Sequence, residues 1–366
     1  MKKTLFILLA LTLLFALAAC SSAVPTDRLA AIESSLQTIS ARLTELTEAA
    51  SAASTPAETE PVPDAEPAPD STPLRVMVLN GTTGFGAAEM MHAASAGETA
   101  LSACTFSVET DASAVTAALV NGTADIAALP TNAAASLYAK TGGGVQLLAL
   151  NTRGVLYLVV NGETRSVSSL SDLEGMTVYA PAQNPSILFA ALCEAAGVSV
   201  TVDTSYAQPA DLRTALAAGA VDIAVLPEPM VTLALAANDA LTVALDLTEA
   251  WDSVFTPGSL VQGCLVVRAQ YAAEHPDTVN AFLSRYGKSV AFLTEDPAAA
   301  AEYIVEAGLF SAAPAAEAAI PRCNTCFLTG DDMRSAMEGF LSVLLTAAPD
   351  SVGGALPDTD FYYYAD

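Results

Sequence analysis

Residues 118–130 read A-L-V-N-G-T-A-D-I-A-A-L-P, and residues 215–227 read A-L-A-A-G-A-V-D-I-A-V-L-P. Each stretch reads as the end of a helix, a Gly stop, a short strand and a Pro. The strand is the apolar run around Asp125-Ile126-Ala127 in one and Asp222-Ile223-Ala224 in the other. The proline has no N–H for a sheet ladder, so it marks the strand's end. The next residues differ: Thr131-Asn132 after the first copy, Glu228-Pro229 after the second, both suited to opening a helix. Two copies of one such phrase predict two similar α/β lobes, each directing a helix N-terminus outward, which suits a ligand held between them.

Outward from each copy the same order of elements recurs. Before the first, residues 75–79 (R-V-M-V-L) predict a buried strand ending at Asn80-Gly81-Thr82-Thr83-Gly84-Phe85-Gly86, followed by a helix over 87–96. A strand, a Gly-rich turn and a helix start bring backbone N–H groups and a positive helix end together, a place for a ligand's oxygens. The spacing G-x-x-G-x-G matches neither the dinucleotide fingerprint nor the P-loop. A strand over 104–109 precedes a helix that Asp111 caps and Gly122 ends; after the repeat come a helix over 133–139 and strands over 145–150 and 155–160. Alternation of this kind predicts mainly parallel sheets covered by helices. Around the second copy stand a strand over 176–180, the turn Pro181-Ala182-Gln183-Asn184-Pro185-Ser186, a helix over 187–196 and a strand over 198–204. Asn184 as N-cap with Pro185 at the first helical position is the expected start there. A late strand over 265–267 and helices from 276 to about 347 exceed what the second unit needs. We therefore expect the chain to return to the first lobe, giving residues 74–157 and 263–366 to one lobe and 158–262 to the other.

The chain begins differently. Lys2 and Lys3 precede an apolar run over 5–17, too short to span a bilayer and the right length for a signal-peptide core; it closes on Leu17-Ala18-Ala19-Cys20. Residues 1–19 are read as a signal peptide. Within 20–50, Leu29, Ile32, Leu36, Ile39, Leu43 and Leu46 fall at heptad spacing. Over 29–46 that pattern supports either self-association or a single amphipathic stalk, since three heptads are marginal as a free helix. Residues 51–73 hold six prolines, five acids and no base, a composition that stays extended and serves as a spacer.

A net charge of −26 with 52% hydrophobic residues describes an acidic globular protein, and 14 Lys and Arg in 366 residues argue against nucleic acid. Besides Cys20 the cysteines are Cys104, Cys193, Cys264, Cys323 and Cys326. A lone C-x-x-C at Cys323 and Cys326, with His92 and His275 far off in sequence, points to small buried residues or one structural disulfide rather than to a metal or redox centre. Which of Cys264, Cys323 and Cys326 would pair stays open.

The stretches R-V-M-V-L-N-G-T-T-G-F-G, G-T-A-D-I-A-A-L-P-T-N, L-E-G-M-T-V-Y-A-P, G-A-V-D-I-A-V-L-P-E-P, G-C-L-V-V-R and I-P-R-C-N, behind L-A-A-C, resemble the substrate-binding lipoproteins of ABC importers. The resemblance is to the branch of sulfonate-, nitrate- and taurine-binding proteins and the NMT1-like thiamine-pyrimidine binders. It implies a two-lobed type II periplasmic-binding-protein fold, α/β in each lobe, with a ligand cleft between lobes. It also implies lipidation at Cys20, anchoring at the extracytoplasmic face of the cell membrane, a small-molecule solute and ABC permease subunits as partners. No cofactor or metal is implied. Mapped onto this chain, the ligand-binding residues expected are Asn80, Gly81, Thr82, Thr83, Gly84, Phe85, Thr131, Asn132, Gln183, Asn184, Ser186 and Glu228. Tyr157 and Phe85 are candidates for stacking on a planar ligand, and Arg322 is a candidate cation for a cleft whose loops otherwise hold no Lys or Arg. Glu228 is expected either to take a ligand's amine or to complement its own helix dipole. The leading expectation is a binding protein, not an enzyme; a sensory or scaffolding lipoprotein and a thiamine-pyrimidine-type enzyme are the alternatives. The enzyme would need a His and a Cys-rich metal motif in the cleft.

Overall fold

The computed structural model describes residues 72–365. The signal segment, Cys20, the 29–46 heptads and nearly all of the 51–73 spacer lie outside the described residues.

The first sheet begins with β1 (Leu74–Leu79), β2 (Cys104–Glu109), β3 (Ile126–Pro130) and β4 (Val145–Arg153). The chain then crosses at Gly154-Val155 into a second sheet: β5 (Leu156–Asn161), β6 (Thr177–Tyr179), β7 (Thr201–Asp203), β8 (Ile223–Pro227) and β9 (Leu241–Asp246). After one more helix it returns through residues 255–260 to the first sheet as β10 (Val261–Arg268), and β11 (Thr325–Leu328) is added last. The strand orders are β11-β4-β10-β3-β1-β2 and β7-β6-β8-β5-β9. With β11 set aside these are one topology written twice, as the repeated phrase predicts.

Neither sheet is mainly parallel; both are mixed. β1 runs parallel to β2 and β3, and β6 to β7 and β8. β10 runs antiparallel to β3 and β4, and β5 to β8 and β9. The cause is the double crossing. A strand reached through a helix re-enters its sheet at the starting end and runs parallel. β5 comes straight from β4, and β10 comes from α8 through residues 255–260; each enters from the other lobe at the end where its new neighbours finish, and must run back.

In the first lobe the single turn α1 (Thr82–Phe85) and α2 (Ala88–Ser95) follow β1, and α3 (Ala112–Val120) follows β2. α4 (Thr131–Thr141) follows β3. In the second lobe α5 (Asn184–Ala195), α6 (Pro209–Ala217) and α7 (Met230–Ala237) follow β6, β7 and β8, and α8 (Leu247–Val254) precedes the return crossing. The C-terminal run contains α9 (Ala269–Glu274), α10 (Pro276–Glu295), α11 (Pro297–Glu306), α12 (Ala313–Ala319) and α13 (Gly330–Ala347).

Alternation along the strands divides the core. Ile126 and Ala128 of β3 join a cluster under α2 and α9–α12, while Ala127 and Leu129 join another on the opposite face. In β5, Tyr157 and Val159 face a third cluster with α6 and α7, and Leu156, Leu158 and Val160 share the cluster of Ala127. The shared cluster is continuous from the first sheet through α13 and α8 to the second. Trp251 on α8 lies in it, 1% exposed, its ring 6.0 Å from Phe340 of α13 and its Nε1 donating to Ser259 Oγ at 2.8 Å.

Asp125 of the repeated phrase is scaffold. Only 1% exposed, it accepts Arg75 Nε at 2.8 Å and Arg75 Nη2 at 2.7 Å, with Arg268 Nη2 at 3.4 Å, and so ties β1 and β10 together at the strand ends opposite the crossing.

Two local expectations change. The cap of α5 is Gln183, at φ 69, with Asn184 already helical and Pro185 one place further in. β10 starts at Val261 rather than 265. Its Gly263 leaves room for a buried polar pair, since a Cβ there would stand 2.6 Å from Asn151 Oδ1.

Candidate functional site

The C-terminal ends of β1, β3 and β4 lie at the crossing, facing those of β6 and β8. After β1 the chain turns at Gly81, φ 83, into α1. Gly84 lets that turn fold back on its own strand, because a Cβ would sit 2.2 Å from the Leu79 carbonyl oxygen. Phe85 corrects an expectation: it is fully buried, edge-on to Phe310 at 6.3 Å between ring centres, so its ring is core and does not stack on a ligand. Asn80 stays exposed, with Gly81, Thr82 and Thr83 half-buried. The Thr83 carbonyl accepts Asn151 Nδ2 at 3.0 Å; the same amide donates to the Tyr286 hydroxyl at 3.1 Å, and Thr152 Oγ1 donates to Asn151 Oδ1 at 3.0 Å. A buried polar layer thus supports the α1 turn. Its members Asn151 and Thr152 were not anticipated, although N-T-R follows the apolar run of β4 just as Asn80 follows that of β1.

Thr131 is the second correction. It is fully buried, and its hydroxyl donates to the Val261 carbonyl at 2.7 Å, fastening α4 to β10. Asn132, next in sequence, does reach the opposite lobe: its Oδ1 accepts Asn184 Nδ2 at 2.6 Å. The N-termini of α4 and α5 therefore meet through two side-chain amides. Neither helix has a side-chain cap, whereas Asp111 caps α3 and Asp246 caps α8. Uncapped first-turn N–H groups and the positive helix ends favour electron-rich atoms at this point. Gln183 is exposed beside them and accepts the Ser186 hydroxyl on its backbone oxygen at 2.9 Å. A positive φ on a residue with a Cβ costs about 1–3 kcal/mol, retained here beside the contact between Asn132 and Asn184.

Glu228 holds a role of its own. Its side chain is 0% exposed and accepts Thr232 N at 3.1 Å, Thr232 Oγ1 at 3.0 Å and Arg322 Nε at 2.5 Å. It accepts a first-turn N–H of α7 and pairs with a cation that follows α12, so of its two expected roles the structure has its carboxylate at its own helix start and not free for a ligand's amine. Arg322, which follows α12, also donates from Nη2 to Thr232 Oγ1 at 2.7 Å. Its backbone oxygen accepts the Tyr157 hydroxyl at 2.8 Å, and neighbouring Asn324, at φ 45, donates to the Gly154 carbonyl at 2.6 Å. Burial, with Asp246 and Glu228 nearby, pushes the Tyr157 phenol well above its ordinary range, so it remains a donor. At 3% exposure Tyr157 does not stack on a ligand either.

The five described cysteines are thiols, including Cys323 and Cys326. Among the described residues no group of three or more His, Cys, Asp and Glu could hold a metal ion. No helix among them is long and apolar enough to cross a membrane.

The same fold occurs in solved structures. An ABC transporter from Parabacteroides distasonis superposes with a TM-score of 0.69 at 24% identity, over 81% of this chain and 100% of that one. The periplasmic aliphatic sulphonate binding protein SsuA from Escherichia coli gives 0.62 at 15% identity, over 80% and 92%. The alkanesulfonate-binding protein SsuA from Xanthomonas axonopodis pv. citri, bound to MOPS, gives 0.55 at 16%, over 80% and 96%. A search of curated proteins finds no significant match. The family described as NMT1/THI5 like matches residues 104–300, which run from β2 into α11 and take in both copies of the repeated phrase. With more than half its length matched and the fold in agreement, the chain belongs to the NMT1/THI5-like family.

Proposed function

We propose that the protein is the extracytoplasmic solute-binding component of an ABC importer, which captures a small polar or anionic solute and delivers it to the permease. The observation that carries this reading is the pair of equivalent sheets whose strand ends face each other and are joined by side chains, Asn132 to Asn184 and Arg322 to Glu228. A site assembled from two halves of one topology binds by closing and releases by opening. The solved neighbours described as a sulphonate-binding protein and an ABC transporter share that architecture.

In this reading the solute meets Asn80, Thr82 and Thr83 with the backbone of Gly81 and Gly84 from one lobe. Asn132 completes that side, and Gln183, Asn184 and Ser186 approach from the other lobe. Neutral donors and acceptors of this kind contribute about 1 kcal/mol each, more toward a charged partner. Cys20 carries the lipid that holds the chain at the membrane surface, and residues 51–73 are the spacer between anchor and lobes. The lobes move about Gly154-Val155 and residues 255–260.

The test is a thermal-shift panel of sulfonates, nitrate, pyrimidines and amino acids on the full chain in detergent. A ligand at 100 times its Kd stabilises by about 2.7 kcal/mol. If nothing in the panel raises the melting temperature and native mass spectrometry of fresh protein shows no bound solute, the importer reading fails.

A further inference from the structure

Arg322 is engaged along one edge. Nε and Nη2 point at Glu228 and Thr232, both of the second lobe, while the residue itself follows α12 of the first. A guanidinium is a rigid fork of five N–H donors, and the bonded edge leaves the opposite one, formed by Nη1 and the outer N–H of Nη2. That edge makes no hydrogen bond among the described residues. Neither nitrogen on it is buried without a partner, and 34% of the side chain is exposed. That edge is therefore not sealed from water, and the residue that carries it stands beside the crossing, its backbone oxygen bonded by Tyr157 of β5.

Glu228 cannot serve the same solute, since its carboxylate is fully enclosed and its oxygens are held by Thr232 and Arg322. It neutralises the cation at a distance without covering its outer donors. Asp246, the other carboxylate near Tyr157, is occupied in capping α8 through Thr248 N at 2.7 Å. In the loops 80–85, 130–132, 181–186 and 228–229 there is no acid besides Glu228 and no Lys or Arg. The net charge of −26 opposes anions only at long range, and physiological salt screens it beyond about 8 Å. Within the cleft, the free guanidinium edge and the two uncapped helix ends decide.

We propose that Arg322 selects the charge of the solute: its free edge takes a two-oxygen anionic head group, a carboxylate or sulfonate, while Glu228 and Thr232 hold the fork in register. The assignment rests on the solute-binding reading above and narrows it from polar solutes in general to organic anions. Glu228 is a positioning residue in this arrangement.

The experiment is calorimetric titration of the full chain in detergent. The probes are a series of alkyl and aryl sulfonates and carboxylates, each with a neutral sulfone or primary-amide counterpart, together with neutral pyrimidines. Wild type is compared with Arg322→Gln, Arg322→Lys and Glu228→Gln, each checked for folding by circular dichroism. At least one anion should bind wild type and its neutral counterpart at least about 10-fold more weakly. Arg322→Gln should lose about 10- to 100-fold for the anion, the worth of a charge-assisted hydrogen bond. Arg322→Lys should recover part of that, and Glu228→Gln should weaken the anion less than Arg322→Gln does. Equal binding of an anion and its neutral counterpart, or an unchanged anion affinity in folded Arg322→Gln, overturns the proposal. If Arg322→Gln does not fold, the comparison of charged with neutral probes on wild type decides alone. A neutral pyrimidine that binds where no anion does overturns it too, and leaves the importer reading standing. No binding by any probe removes both.

Discussion

Replacing Arg322 by Met should destabilise the protein more than replacing Arg322 and Glu228 together. The Glu228 carboxylate is 0% exposed, and of its three donors Arg322 Nε is the charged one. Breaking a buried ion pair by removing one partner costs about 3–5 kcal/mol, because the other charge is left without compensation. Here the carboxylate keeps both Thr232 bonds and the positive end of α7, and water reaches Arg322, so the lower end, about 3 kcal/mol, applies. At about 2.1 cal/mol/K per residue over roughly 300 residues, the unfolding entropy near the midpoint is about 0.6 kcal/mol/K, and Tm falls by about 5 °C. Adding Glu228→Met removes the stranded charge. The remaining loss is the cap at Thr232 N, about 1 kcal/mol or about 2 °C, so the double variant should melt about 3 °C above Arg322→Met. Calorimetric melting of wild type, both single variants and the double variant at neutral pH, without solute, reads this directly. A double variant that melts below Arg322→Met would refute the reasoning, since additive losses mean that the charges are not desolvated together.

Three further outcomes rest on the same geometry. Gly84→Ala forces a methyl to 2.2 Å from the Leu79 carbonyl oxygen and should cost about 1–3 kcal/mol or more, read as a lower urea midpoint at unchanged slope; an unchanged midpoint would mean that the α1 turn relaxes freely. The hydrogen bond from Arg285 holds the Glu98 carboxyl below its ordinary value, so its contribution is present above the unfolded carboxylate's pKa and is lost as pH falls through the folded one. Stability of Glu98→Gln should accordingly fall less steeply than that of wild type on acidification, and parallel acid titrations would count against the pair. In thiol labelling of the native chain, half-buried Cys104 should react before Cys193, whose thiol burial pushes up to about 11, and Cys264 and Cys323 should react only on unfolding. Early modification of Cys264 would place β10 at the surface.

The two-sheet architecture was readable because the phrase ending in Asp125-Ile126-Ala127 and Asp222-Ile223-Ala224 repeats with its flanking elements, and repetition is a property of sequence alone. The reversed strands were not readable. V-L-Y-L-V-V and C-L-V-V-R carry no mark of direction; that is set by which sheet the chain has just left. At the site, the loops were located by their position after apolar runs, but the same rule cannot say whether a side chain turns toward solvent. Thr131 and Asn132 are adjacent, and one ties α4 to β10 while the other reaches across to Asn184. Glu228 and Arg322 lie far apart in the chain, and nothing local to either one indicates the other. Asn151 and Thr152 were hidden because β4 runs three residues beyond its apolar stretch, into a polar layer that only tertiary packing supplies.

Trp251 is the chain's one tryptophan, and its place has a practical meaning. The indole is anchored on α8 of the second lobe, touches Phe340 of α13 in the first, and hydrogen-bonds Ser259 on the segment that carries the chain back between them. The ring thus sits where α8, α13 and the returning segment meet, so the hinge motion of the proposed function would alter its surroundings. If the lobes rotate as the proposed function requires, the emission of this single native fluorophore would follow the change without any label.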